Sequence, residues 1–327
     1  MLKIGIIGCG HIAMSYHGPA LKKYCGEQNA AIVGCCDTDL SRAKEFGETF
    51  GCDAHFDNYQ EMLDKTKPDA VCIYVSYQAI PSMAIDIMNQ GYPVLMEKPP
   101  GDTGADVQSI INAAANTKTF NMVAFNRRHA PILGELKKMV DDKDMHNIRC
   151  VFQRVNRRDT VFHTTAIHGI DTVRYIAGCD YKHINFRYQE LPEVSDGAAN
   201  IYMDCLMESG VTAQLAFWQC GGASVEEYHV TCRDNEYALK MPLWNSYGYP
   251  GSLTHLSRSK QVSFLPGDSP QFGADIFMQF GFYNENAMFF DAVRGEKMHD
   301  ALHGIESALQ AVVVGECIKG RLLEYRV

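Results

Sequence analysis

The chain has 327 residues, with 30 lysines and arginines against 39 aspartates and glutamates, a formal charge of −9. That balance argues against a nucleic-acid partner, and no apolar run approaches the roughly 20 residues of a membrane-spanning helix. Twelve cysteines form no Cys-x-x-Cys pair; they read as small buried thiols in a reducing cytoplasm, neither disulfides nor metal ligands.

The first strand begins almost at residue 1, which leaves no room for a signal peptide. Short, unalternating β-rich runs follow at Lys3–Ile7, Ala31–Cys36, Ala70–Val75, Pro93–Met96 and Phe120–Phe125. Such runs mark parallel strands covered on both faces. Helical stretches separate them. Asn58-Tyr59-Gln60-Glu61 reads as a capping box, and Gly91 as the stop of a helix over Pro81–Gln90. The pattern predicts an α/β, doubly wound Rossmann sheet, whose ligands bind beyond the carboxyl ends of the strands. Gly8, Asp37, Ser76, Glu97 and Asn126 all fall at such ends.

Behind the first strand stands Gly8-Cys9-Gly10-His11-Ile12-Ala13. Gly8 permits a tight turn, Gly10 lets backbone approach a pyrophosphate, and Ala13 is small enough for close helix packing. The opening of the helix, at His11 and Ile12, then offers N–H groups and a positive dipole end to the phosphates. Asp37 ends the second strand, 24 positions after Ala13. That is near the spacing of a carboxylate on an adenosine ribose, and it favours NAD over NADP because it repels a 2′-phosphate. Asp37 has an alternative use as a turn residue before the next helix.

The second half changes character. Ile148–Arg158, Ala198–Met207, Val211–Gln219, Tyr228–Arg233 and Tyr237–Leu243 follow one another, and several alternate apolar with polar residues. They predict an open, mainly antiparallel sheet in a C-terminal α+β domain, with one packed and one free face. A free face carrying Phe217 and Trp218 would serve a homodimer or homotetramer. Helices are expected at Thr164–Ala177, with Gly178 as its stop, and near Asn284–Val293 and His303–Lys319. Ser246–Gln271, rich in Gly, Pro and Ser, reads as a long irregular loop. The predicted boundary places an NAD-binding domain at 1–124 and a substrate and oligomerisation domain at 125–327.

Four segments together resemble the glucose–fructose oxidoreductase / inositol dehydrogenase (Gfo/Idh/MocA) family: the glycine turn, Glu97-Lys98-Pro99, Phe125-Asn126-Arg127-Arg128, and Ile167-His168-Gly169-Ile170-Asp171. The resemblance covers nearly the whole chain in motif order. It implies an oxidoreductase that moves a hydride between a secondary hydroxyl of a sugar, polyol or sugar derivative and nicotinamide. It also implies that Lys98 is the active-site lysine, that His168 is the catalytic histidine, and that Glu97 and Lys98 border the nicotinamide ribose.

The chemistry needs those residue types. Oxidising an alcohol takes a hydride from carbon and a proton from oxygen. Histidine has the basicity to accept the proton near neutral pH, and a lysine ammonium stabilises the developing alkoxide. Thr164, His168 and Asp171 share one helix face at i, i+4 and i+7, so Asp171 is placed to orient His168. Without Lys98, His168 would read as a core histidine. Two features depart from the family pattern. Thr164 stands where the family commonly has an aspartate, and Val75-Ser76 and Ile80 replace its Thr-Pro segment and a histidine. Arg127, Asn156, Arg157 and His163 are candidates for the missing polar contacts. Two further readings stay open: an NAD-retaining glycosidase or lyase using transient oxidation, and a non-catalytic NAD-binding regulator.

Overall fold

The computed structural model describes residues 1–140, 144–243, 246–295 and 303–327. The chain divides into two compact units: Met1–Phe125 with Phe282–Val312, and Asn126–Gly281 with Val313–Val327.

In the first unit six parallel strands form one sheet: β1 (Leu2–Ile7), β2 (Ala30–Cys36), β3 (His55–Phe56), β4 (Ala70–Ile73), β5 (Val94–Glu97) and β6 (Asn121–Ala124). Their spatial order is β3-β2-β1-β4-β5-β6, so the order reverses at β1, where doubly wound sheets open a ligand crevice. Helices α1 (Gly18–Glu27), α2 (Leu40–Phe50), α3 (Tyr59–Thr66), α4 (Ile80–Asn89) and α5 (Gly104–Thr117) connect the strands. The ends obey local chemistry. Asn58 caps α3 by accepting the Glu61 N–H at 3.0 Å, and Thr103 with Asp106 forms a reciprocal capping box on α5. The helix Phe282–Val293 returns to this unit and inserts Phe289 and Phe290 into its core beside Ile4, Tyr24 and Leu95.

The second unit holds helices α6 (Pro131–Val140) and α7 (His163–Ala177) and strands β7 (Met145–Gln153), β8 (Tyr181–Glu190), β9 (Ala199–Met207), β10 (Thr212–Trp218), β11 (Val225–Cys232), β12 (Asn235–Lys240), β13 (Ser252–Ser257), β14 (Lys260–Pro266) and β15 (Glu324–Arg326). Among the described residues these strands form one sheet, ordered β14-β13-β12-β11-β7-β10-β9-β8-β15. Every pairing is antiparallel except β7 with β10. Helix α7 lies close on one face. A Cβ on Gly169 would come within 2.9 Å of Phe217 and 3.2 Å of Phe152.

Three expectations are corrected. Phe217 is fully buried beneath α7; successive strand residues face opposite sides, so Phe217 and Trp218 cannot share the free face, which takes Trp218, Thr212 and Gln214 instead. The segment Ser246–Gln271 is not a loop throughout, because β13 and β14 form a hairpin within it. Its turn uses Arg258 and Ser259, both at positive φ. That is the primed geometry usually signalled by Asn-Gly, and Arg-Ser carries no such cue. The strand expected to run to Arg158 stops at Gln153, and Asn156 takes a left-handed conformation, φ 51°. Strand β8 falls between the runs recognised from alternation.

Candidate active site

In the first unit a cleft of about 430 Å³ opens at the carboxyl ends of β1, β2 and β4, lined among others by Gly8, Gly10, Asp37, Tyr74 and Ser76. Gly8 has φ +92°, and a Cβ there would lie 2.4 Å from the Tyr74 carbonyl oxygen; only glycine makes this turn without strain. At Gly10 a Cβ would meet no protein atom within 4 Å. The space beside that backbone is open to a ligand, which fits a pyrophosphate passing over the turn. His11 and Ile12 open the helix just beyond it, both exposed. The helix then runs through a π-helical turn, Ala13–His17, before α1.

Asp37 is fixed from two sides. Its Oδ2 accepts the Cys9 N–H at 2.8 Å and its Oδ1 accepts the Asp39 N–H at 3.0 Å. Each oxygen keeps a second acceptor position. Asp57 and Arg42 line the same cleft. Burial, followed by the charges of Asp37 and Asp57, pushes the Cys36 thiol up to about 12, which disfavours the thiolate.

Glu97 ends β5, and Lys98 follows it half-buried. Glu97 Oε2 accepts the Lys98 backbone N–H at 2.9 Å, and Oε1 lies 3.0 Å from His17 Nε2. Burial pushes the Glu97 carboxyl up, but the His17 hydrogen bond and the neighbouring Lys98 outweigh it and hold the group below the usual carboxylate value. His17 is fully buried. It is a site residue the sequence reading missed; its only signal was a polar side chain four residues after Ala13, on the inward face of the helix.

In the second unit the expected residues gather around a buried carboxylate. Arg127 reaches Glu226 through Nη2 at 2.8 Å and Nε at 3.2 Å, and Arg154 pairs with the same carboxylate. Burial pushes Glu226 up, but the two guanidinium charges dominate and hold it below its ordinary value. Arg127 Nη1 donates to Asn126 Oδ1 and to His168 Nε2, each at 2.9 Å, while Asn126 Nδ2 donates to the Phe280 carbonyl at 2.8 Å. Thus the Phe280 carbonyl anchors the Asn126 amide nitrogen while its amide oxygen holds Arg127. Asp171 does not orient His168. Its two oxygens bind Arg128, Oδ2 at 2.8 Å from Nε, because the guanidinium offers two parallel donors and a ring nitrogen offers one. Glu226 and Arg154, 72 positions apart, were not legible as partners.

The remaining candidates are dispersed in role. His163 is buried at the start of α7, and Thr164 Oγ1 donates to the Val161 carbonyl at 2.8 Å. Arg157 pairs with Asp159 at 2.7 Å, and exposed Asn156 accepts from Arg158 at 2.8 Å. Among the described residues no cluster of three or more His, Cys, Asp or Glu side chains is arranged to hold a metal ion, all twelve cysteines are free, and no helix is long and apolar enough to cross a membrane.

A glycine-turn cleft at the switch point of a parallel sheet, with an acid at the end of the second strand, defines a dinucleotide-binding protein of the Rossmann class. Residues 2–125 match the Gfo/Idh/MocA family model described as "Oxidoreductase family, NAD-binding Rossmann fold". The chain is 26% identical to inositol 2-dehydrogenase from Salmonella typhimurium over 193 residues, 56% of each chain. It is 27% identical to D-glucoside 3-dehydrogenase from Escherichia coli over 157 residues, 48% of this chain and 44% of that one. The chain therefore spans about half the length of the curated relatives it matches. The fold extends further. A dehydrogenase from Clostridium difficile superposes with TM-score 0.82 at 19% identity, over 98% of this chain and 99% of that one. A 3-ketoreductase from Actinomadura kijaniata, solved with TDP-benzene and NADP, superposes at 0.75 and 17% identity, over 98% and 97%.

Proposed function

We propose that the protein is an NAD-dependent oxidoreductase acting on a secondary hydroxyl of a sugar, polyol or sugar derivative. The observation that carries this is the cleft over Gly8 and Gly10 with Asp37 at its rim, in a chain whose relatives include inositol and glucoside dehydrogenases. Gly8, Gly10, His11, Ile12, Asp37 and Ser76 would hold the adenosine and pyrophosphate half of the cofactor, and Glu97, Lys98 and Asn126 the nicotinamide half. A bound nicotinamide would supply the hydride acceptor. The chain does the rest. Lys98 places its ammonium beside the substrate oxygen and stabilises the alkoxide. His168 takes the hydroxyl proton on a ring nitrogen. Arg127, His163, Thr164, Asn156 and Arg157 shape the surrounding polar contacts. The base role requires Arg127 Nη1 to yield the His168 Nε2 lone pair when a substrate hydroxyl arrives.

The test is a screen of sugars and inositols with NAD, read as NADH absorbance. Once a substrate is found, Lys98→Met and His168→Asn should each lower kcat about 10²- to 10⁴-fold while changing NAD affinity little. The double variant should lose less than the product of the two, since both act on one hydroxyl. An unaltered kcat in His168→Asn would refute its role as base. NAD that copurifies and yields a converted sugar without bulk NADH would replace the dehydrogenase reading with the redox-neutral one.

A further inference from the structure

We propose that His17 is a positioning residue of this site, locked in one tautomer and holding Glu97, and through it the Lys98 peptide, in the geometry that receives the nicotinamide. The inference rests on the proposed NAD-binding role of Glu97 and Lys98, and concerns how that part of the site is held.

The hydrogen bonds run in one direction. Asn286 Nδ2 lies 2.7 Å from the Phe282 carbonyl oxygen and 3.0 Å from His17 Nδ1. A carbonyl only accepts, so the atom placed there is the amide nitrogen, and His17 Nδ1 must accept from it. The ring proton therefore sits on Nε2, which donates to Glu97 Oε1 at 3.0 Å. The second Glu97 oxygen accepts the Lys98 N–H at 2.9 Å. At the other end Tyr74 Oη donates to Asn286 Oδ1 at 2.9 Å, and burial keeps that phenol protonated.

Packing fixes the ring as firmly as the hydrogen bonds do. His17 stacks on Tyr74 with centroids 3.9 Å apart and planes 16° apart, and meets the Phe282 ring edge-on at 5.0 Å. Tyr74 itself lines the dinucleotide cleft and sits against Gly8. The chain of contacts thus ties the wall of the adenosine-side cleft to the peptide of Lys98, all within the first unit. Without the His17 donor, Glu97 would be a largely buried carboxylate holding only the Lys98 N–H, and it would protonate or turn away.

Two measurements test this. The first needs no variant and no cofactor. In protein labelled with ¹⁵N-histidine, the ring shifts of the His17 resonance, assigned by its absence from His17→Gln, should be those of the neutral Nε2–H tautomer. An Nδ1–H or doubly protonated ring overturns the lock. The second is calorimetric titration of NAD into variants whose melting temperatures match the wild type. His17→Phe keeps the stack but removes the donor, and should weaken NAD about tenfold. His17→Gln puts an amide N–H near the position of Nε2 and should recover most of that loss. Phe and Gln variants that bind equally, whether as wild type or equally weakly, overturn the proposal. Wild-type protein that shows the Nε2–H tautomer yet binds no NAD overturns the proposed function and leaves the lock in place.

Discussion

The sharpest consequence of the site concerns Asp37 and the choice between NAD and NADP. A 2′-phosphate entering the cleft would approach the Asp37 carboxylate to hydrogen-bond distance. Two like charges about 4 Å apart repel by about 1 kcal/mol in water and about 4 kcal/mol at an effective dielectric near 20. Asp37 is half-buried and Asp57 at the same cleft is exposed, so solvent screening selects the lower part of that range, about 1–2 kcal/mol. NAD should therefore bind about 5- to 30-fold more tightly than NADP. Asp37→Ala should remove most of that ratio. It should also weaken NAD itself, because the Cys9 N–H in the glycine turn loses its acceptor, a loss of about 1–3 kcal/mol when buried. Asp37→Asn is not a clean neutral substitute, since both oxygens accept a backbone N–H and an amide would turn a donor toward one of them. Calorimetric titration of both dinucleotides into wild type and Asp37→Ala is the assay. A ratio that stays within about twofold of wild type would show that Asp37 does not face the ribose, and would leave Arg42 free to receive a phosphate.

Three further predictions use other parts of the structure. Gly10→Ala should leave the melting temperature unchanged, since its Cβ meets no protein atom, yet weaken NAD; Gly8→Ala should destabilise the fold by about 1–3 kcal/mol through strain at positive φ, with further loss from its contact with the Tyr74 carbonyl. Equal NAD affinity in Gly10→Ala and wild type would dispose of the cradle. Glu226 is held below its ordinary value of 4.5 by Arg127 and Arg154, so its contribution to stability is complete above 4.5 and falls as pH drops through the lower folded value. Urea unfolding from about pH 7 to about pH 3.5 should show a steeper acid loss in wild type than in Glu226→Gln, and parallel curves would contradict it. The open face of the nine-stranded sheet, with Trp218, Thr212 and Gln214, is proposed to pair with a second copy, and light scattering that returns the single-chain mass of 36.5 kDa would rule this out.

What the sequence determined by itself was whatever depends on neighbours along the chain. The parallel strands were legible because both faces are covered, so their apolar runs do not alternate. Gly8 and Gly10 were legible because a turn conformation and an open approach each demand glycine locally. The resemblance to the family rested on the same local motifs, and residues 2–125 match its NAD-binding Rossmann model. Where the local cue was missing, the reading failed: the Arg258-Ser259 turn carries none of the residues that normally announce a hairpin. Partner choice was decided by tertiary structure alone. Helical spacing offered Asp171 to His168, but the fold brought Arg128, 43 positions away, to bind both carboxylate oxygens instead. His17 finds Glu97 across 80 positions and Arg127 finds Glu226 across 99. Buried polar groups must be satisfied by whatever donors the packed chain delivers. Those deliveries are set by how strands and helices stack, which no spacing within one element encodes.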